Sequence, residues 1–133
     1  MAFQFSAASR NAALDAIETA AGASPTLEIR TGAVPATCAT ADSGTVLVTM
    51  ALPADWLAAA SGGTKAILGT WQDLPADAAG TAAPFRIKQG ATCHIQGSVT
   101  ATGGGGDMTL DNVSIALAQQ VTVTAFTLTA GGA

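Results

Sequence analysis

The stretch that decides the fold is FRIKQGATCHIQGSV, Phe85–Val99. Apolar and polar residues alternate on either side of Gly90, a pattern that reads as strand, tight turn, strand. In this reading Phe85 and Ile87 face inward and Arg86 and Lys88 outward. After the turn, Cys93, Ile95 and Val99 share one face, and His94, Gln96 and Ser98 the other. The stretch also holds the only His, one of two Cys and two of five basic residues. Chemistry built on those groups would show here.

It does not show in the spacing. Cys93 and His94 are adjacent, so on a strand they point to opposite faces and cannot chelate one ion, and Cys38 alone cannot complete a site. Ser98 lies on the His94 face but four residues along, roughly 13 Å on an extended strand and beyond hydrogen-bond reach. The four-glycine run Gly103–Gly106 lacks the Lys-Ser/Thr of a phosphate loop. Asp107 and Asp111 flank a turn but lack the dense acidic spacing of a calcium loop, so they read as turn formers. Arg30, Lys65, Arg86 and Lys88 read as scattered cations on solvated strand faces. The expectation is no catalysis, no metal and no cofactor.

Outward from that stretch, the pattern stays mostly β. Thr26–Thr31 alternates, with Leu27 and Ile29 inward. Gly32 to Ser43 is a long loop holding Cys38 and Asp42, and Thr45–Leu52 is a strongly apolar strand. Pro53–Ala60, PADWLAAA, reads as one or two helical turns with Pro at the start. Thr64–Trp71 reads as a strand and Gln72–Pro84 as a loop. Met108–Leu110 and Val113–Leu117 are short apolar runs around the turn pair Asp111-Asn112. Gln119–Ala130 is the longest strand, with Val121, Val123 and Ala125 on one face and Phe126 and Leu128 on the other, a phase change that predicts a bulge or cover on both faces. The strand starts LEIRTGA (Leu27–Ala33) and FRIKQGA (Phe85–Ala91) echo one another.

Before the strands lies one helix, Ala7–Ala21, with Leu14, Ile17 and Ala21 on its inner stripe. Ser6 or Ser9 caps its start, and Gly22 fits just past its end. Asp15 and Glu18 read as its solvated face. Residues 1–6 form an arm carrying Phe3 and Phe5. The expected fold is therefore all-β, seven or eight strands as a β-sandwich (the jelly roll among its forms) behind one N-terminal α-helix. The expected domain is single and spans 1–133, with strands and loops over 26–130.

Composition narrows function by exclusion. Hydrophobic residues make up 49% of the 133 residues but aromatics only 5%, with no Tyr. Much of the apolar content is Ala, which buries little area, so assembly with other chains is a natural source of further stability. Charged residues are 11% and the net charge is −4; an acidic chain repels phosphate backbones, which argues against nucleic acid as partner. No 18-residue apolar run or signal-like leader is present, so neither a membrane span nor secretion is expected. Cys38 and Cys93 are expected as free, partly buried thiols. A bridge between them would close a long loop, worth roughly 4 kcal/mol by the chain-entropy relation. Phe3, Phe5 and Trp56 are the candidate partner-interface residues, although a Trp at such a position also serves as a core anchor.

From Phe85 onward the order of features resembles a known family. A Phe-Arg-Ile strand, a Gly turn and Ile-Gln-Gly-Ser-Val lead into a Gly-rich loop, Asp-Met-Thr-Leu-Asp-Asn, and a closing Val-Thr-Val-Thr-Ala-Phe-Thr-Leu strand. Earlier come NAALDAIETAAG (Asn11–Gly22), LEIRTGAVP (Leu27–Pro35) and GTVLVTMALPADW (Gly44–Trp56). Together these are similar to small virion structural proteins of tailed double-stranded DNA bacteriophages, among them capsid cement or decoration proteins. The resemblance implies a sandwich that binds the outside of the shell. Its partners would be the major capsid protein and copies of itself, as dimer or trimer, and its place the virion after synthesis in the host cytoplasm. It carries no residue-level site. A tail or fibre-attachment component, or a receptor- or carbohydrate-binding sandwich using an exposed Trp56 or Trp71, are the alternatives.

Overall fold

A computed structural model describes residues 3–132. One helix, α1 (Ala7–Ala21), precedes ten strands: β1 (Thr26–Arg30), β2 (Val46–Ala51), β3 (Thr64–Ala66), β4 (Gln72–Asp73), β5 (Gly80–Thr81), β6 (Pro84–Gln89), β7 (Thr92–Ala101), β8 (Met108–Leu110), β9 (Ser114–Ile115) and β10 (Val121–Thr129). The class is all-β with a single N-terminal helix, as the alternation predicts.

The helix forms where its caps dictate. Ser6 Oγ accepts from Ser9 N at 3.1 Å, and Gly22, with φ of 81°, donates its N–H to Glu18 O. The last carbonyls, orphaned by the end of the helix, are met by side chains from distant parts of the chain. Gln89 Nε2 donates to Ala21 O at 2.7 Å, and Trp56 Nε1 donates to Gly22 O at 3.0 Å. Leu14 and Ala21 are buried, whereas Ile17 stays partly exposed.

The strands follow one hydrogen-bonded path, β2-β1-β6-β7-β8-β10-β3, with β4 also on β10; β5 and β9 form a separate pair. The two echoing segments lie side by side: β1 and β6 are antiparallel, with Leu27 opposite Ile87 and Glu28 opposite Arg86. The β6–β7 hairpin turns at Gly90, whose φ of 61° suits glycine. The chain then loops through Gly103–Gly106, so that β8 runs parallel to the end of β7. β10 carries the expected bulge, but between Val123 and Ala125 rather than at the Ala125–Phe126 phase change. The segment after β4 reaches back to the far edge of the path, where Asp77 N donates to Leu47 O at 2.7 Å. The sheet thus curls round one core.

Four aromatic rings form the spine of that core. Trp56 and Trp71 centroids lie 6.0 Å apart, Trp71 and Phe126 5.7 Å, and Phe126 meets Phe85 edge-on at 5.4 Å. Leu27, Ile29, Met50, Ile87, Met108 and Leu110 fill in around them, all buried.

Three local expectations are corrected. Gln72–Pro84, expected as a loop, holds β4 and β5 and the first residue of β6. Pro53–Ala60 contains no helix. Trp56 and Leu57 are both fully buried although adjacent, on a chain whose Trp56 Nε1 caps α1 at Gly22 O and whose Leu57 bridges to Ile67. Its backbone bonds go across instead, Ala58 N to Ala66 O and Leu68 N to Trp56 O. The strand expected over Thr64–Trp71 ends at Ala66, and the chain turns away at Gly69, where φ is 77°.

Candidate functional site: a strapped charge cluster and an open cleft

The sheet face away from the aromatic core is polar by alternation: Glu28 and Arg30 on β1, Arg86 and Lys88 on β6, Gln96 on β7. The sequence alone leaves this face to water. The structure covers it with residues 32–45, a strap closed at its neck by Thr31 N to Thr45 O at 3.0 Å and Ser43 Oγ to Ala33 O at 2.6 Å. The neck requires Gly44, where a Cβ would lie 2.0 Å from Thr31 O.

Beneath the strap Arg86 is 4% and Lys88 7% exposed, which overturns their assignment to a solvated face. Asp42, carried by the strap, is the hub. Its Oδ1 takes Arg86 Nη1 at 2.8 Å, and its Oδ2 takes Lys88 Nζ at 2.7 Å and Arg30 Nη2 at 3.2 Å. Glu28 Oε1 faces Arg30 at 3.0 Å and Lys88 at 3.2 Å. Arg86 uses its remaining donors on the strap and the sheet: Nη2 to Thr37 O and Thr40 O, and Nε to Gln96 Oε1. Gln96 Nε2 completes the set on Pro35 O at 2.7 Å. The hydrogen bond from Lys88 above all, with the charges of Arg30, Lys88 and Arg86, holds the Asp42 carboxyl below its usual range against the opposing effect of burial.

A second buried cation corrects the reading of α1. Lys65 on β3 is 3% exposed, and its Nζ lies 2.5 Å from Asp15 and 2.8 Å from Glu18. Those two carboxylates clamp the helix to the sheet. Burial disfavours the charge on Lys65, but the hydrogen bonds it donates to Asp15 and Glu18, with their charges, outweigh it and leave the pKa raised.

Cys93 is displaced from its expected inward position. The β6–β7 register slips between the pair Ile87–Ile95 and the pair Lys88–Cys93, so His94 is the extra residue of a bulge. Cys93 therefore shares the face of Lys88, at the edge of the charge cluster and beside Cys38 of the strap, and its Sγ donates to Ile95 O at 3.6 Å. Burial first, and Cys38 second, push the Cys93 thiol up to about 12.

On the other side of β7 is an open cleft of about 480 Å³. β8 joins β7 only from Val99 onward and meets β10 only as far as Phe126. The first half of β7 and the end of β10 therefore diverge, and neither is laddered on the side facing the gap. Phe85, Ile95, Phe126 and Leu128 line the cleft apolar; Gln96, Thr127 and Thr129 line it polar. Asp107 sits at its closed end, where Oδ2 accepts from Ser98 N at 2.9 Å and Ser98 Oγ at 3.1 Å.

The three candidate interface residues part company. Phe3 is 88% and Phe5 54% exposed, with Phe5 N donating to Gly132 O. Trp56 is a core anchor and presents nothing to a partner. Trp71 is buried as well. Asp111 is a turn residue, its Oδ1 accepting from Asn112 N and Thr122 N. Among the described residues no group of three His, Cys, Asp or Glu is placed to hold a metal ion, and no helix is long and apolar enough to cross a membrane. Compared with family models, curated proteins and solved structures, the chain matches none.

Proposed function

We propose that this chain is a structural protein of a tailed double-stranded DNA bacteriophage virion, of the cement or decoration kind. It binds the outer surface of the capsid, stabilises the shell and carries no catalysis. The sequence resemblance named above suggests the class, and one observation supports the surface role. Four of the five basic side chains, Arg30, Lys65, Arg86 and Lys88, are tied to four carboxylates in internal ion pairs. Among the described residues only the Arg10 side chain remains a cation outside these pairs, so the described exterior is acidic, rich in Ala and Thr, and has no basic patch. Such a surface is repelled by packaged DNA and suited to lying against protein. Phe3 and Phe5 supply exposed apolar contact area for a neighbour.

Binding the assembled shell in preference to free subunits would stabilise it by mass action. The carbohydrate-binding alternative loses its basis because both Trp side chains are spent in the core. The test mixes the purified protein with expanded, empty capsids. Saturable binding at a copy number set by the shell lattice, with a higher shell-disruption temperature, is the expected result. Binding to tails alone overturns the cement reading in favour of a tail component.

A further inference from the structure

We infer that Cys38 and Cys93 form an oxidisable dithiol site, and that a disulfide made there by hydrogen peroxide or a small-molecule disulfide locks the strap onto the sheet. Three anchors place the strap's Pro35–Thr40 segment over this part of β6 and β7. Arg86 Nη2 holds Thr37 O at 3.0 Å and Thr40 O at 2.8 Å, and Gln96 Nε2 holds Pro35 O. Cys38 lies between the two carbonyls that Arg86 grips. Cys93 lies three residues before Gln96 on the same strand and pairs with Lys88, the next outward residue after Arg86. The bulge at His94 is what turns Cys93 to this face rather than into the core.

The surroundings suit the chemistry. Both thiols are free and half-buried, so small oxidants reach them while protein thiols are kept away. Cys93 stays protonated at neutral pH, with its thiol pushed up to about 12 by burial and by Cys38 beside it, and its Sγ donates to Ile95 O. Lys88 and Arg86 pull the Cys93 thiol down, but by less than burial and Cys38 push it up. The Cys38 sulfur attacks peroxide, giving a sulfenic acid and water. The Cys93 sulfur then displaces the second water, so two thiols and one peroxide yield one disulfide and two waters. With a small disulfide as oxidant, the mixed disulfide at Cys38 is resolved by Cys93, and two small thiols leave.

Reduced, the strap is held by ion pairs and hydrogen bonds alone, which acid weakens. Oxidised, it is covalently tied to β7 whatever the state of Asp42. The experiment treats the whole wild-type chain with a few equivalents of hydrogen peroxide, and separately with oxidised glutathione. Expected are loss of both free thiols, a mass lighter by two hydrogens, and a non-reducing peptide map joining the Cys38 and Cys93 peptides. The urea midpoint should rise by about 1–2 M and fall back on adding dithiothreitol. Cys38→Ser and Cys93→Ser should each abolish the shift while folding normally. Stable glutathione adducts, intermolecular dimers, or a bridge that leaves the midpoint unchanged would overturn the inference.

Discussion

Asp42 and Lys88, 46 residues apart in sequence, meet at 2.7 Å beneath the strap. That contact is the point at which a loop becomes part of the fold, because the same carboxylate also takes Arg86 and Arg30. Removing one partner of a buried ion pair leaves the others as uncompensated charge, which costs about 3–5 kcal/mol. Asp42 keeps some contact with water, so Asp42→Asn is expected to cost about 3 kcal/mol in urea unfolding. Adding Lys88→Met should recover part of that loss. An Asp42→Asn variant as stable as wild type would show that the strap is held by its backbone contacts alone.

The same contact sets the acid limit. Asp42 has its pKa lowered in the folded state by the Lys88 hydrogen bond and the neighbouring cations. Between that value and the ordinary carboxylate value of about 3.9, the unfolded chain binds more protons, so stability falls as pH falls. The contribution is fully present above about pH 4 and is lost on descending through the folded value. Asp42→Asn should therefore show a flatter stability profile below pH 4 than wild type.

The alkaline limit has the opposite origin. The pKa of Lys65 is raised, its burial outweighed by Asp15 and Glu18. Its contribution is complete below about pH 10.4 and is lost as pH rises through the folded value. The raised Cys93 thiol also removes stability as pH rises above about 8.5, so the wild-type curve alone does not isolate Lys65. The difference between wild type and Lys65→Met in urea midpoint, followed from pH 9 to 12, does; it should shrink toward the top of that range.

How far the sequence carries can be followed residue by residue. Ser6, the Leu14 stripe and Gly22 bound the helix as observed, because caps and periodicity are local. The bulge near Val123 was legible for the same reason, as a change of phase within one strand. The alternation in Leu27–Arg30 and Phe85–Lys88 was also legible, but alternation says which residues share a face and not what lies over it. Covering Arg86 and Lys88 needs Asp42 to arrive from a loop without periodicity, and no local pattern announces that. The pairing of the two echoing segments, with Glu28 set beside Arg86, was the one available hint. Cys93 was misplaced because a bulge at His94 shifts the phase by one. Ala-rich PADWLAAA misled because propensity yields where Trp56 and Leu57 must both be buried.

The two tryptophans should answer differently to the same substitution. Trp56 Nε1 donates to Gly22 O at 3.0 Å, while Trp71 Nε1 is buried without a partner among the described residues. Each Trp→Phe change removes similar volume, but only Trp56→Phe also strands a carbonyl at the helix end. Trp56→Phe is expected to cost about 1 kcal/mol more than Trp71→Phe in urea unfolding. Equal losses would mean that the Trp56 hydrogen bond contributes nothing beyond packing.

Phe3 and Phe5 present the reverse case, in which a partner is affected and stability is not. Their rings are exposed, and surface substitutions away from packed features change stability by about 0.5 kcal/mol or less. Phe3→Ser with Phe5→Ser should leave the urea midpoint within that margin; under the capsid-binding proposal the pair should also lower the amount of protein retained on capsids. Retention equal to wild type would remove both residues from the interface.

Gly97 tests the closed end of the cleft. A Cβ there would lie 2.7 Å from Asp107 Oδ2 and 2.8 Å from Phe85 Cε1. Neither neighbour yields freely: Asp107 Oδ2 holds Ser98 N and Oγ, and Phe85 is wedged against Phe126. Overpacking of this kind costs about 1–3 kcal/mol, so Gly97→Ala should lower the urea midpoint by a corresponding amount. Gly131 is the control, since a Cβ there meets nothing within 4 Å, and Gly131→Ala should leave stability unchanged. If the Gly97 variant matched the control, Asp107 and Phe85 would have room to move apart, and the cleft's closed end would be soft enough to reshape around a ligand.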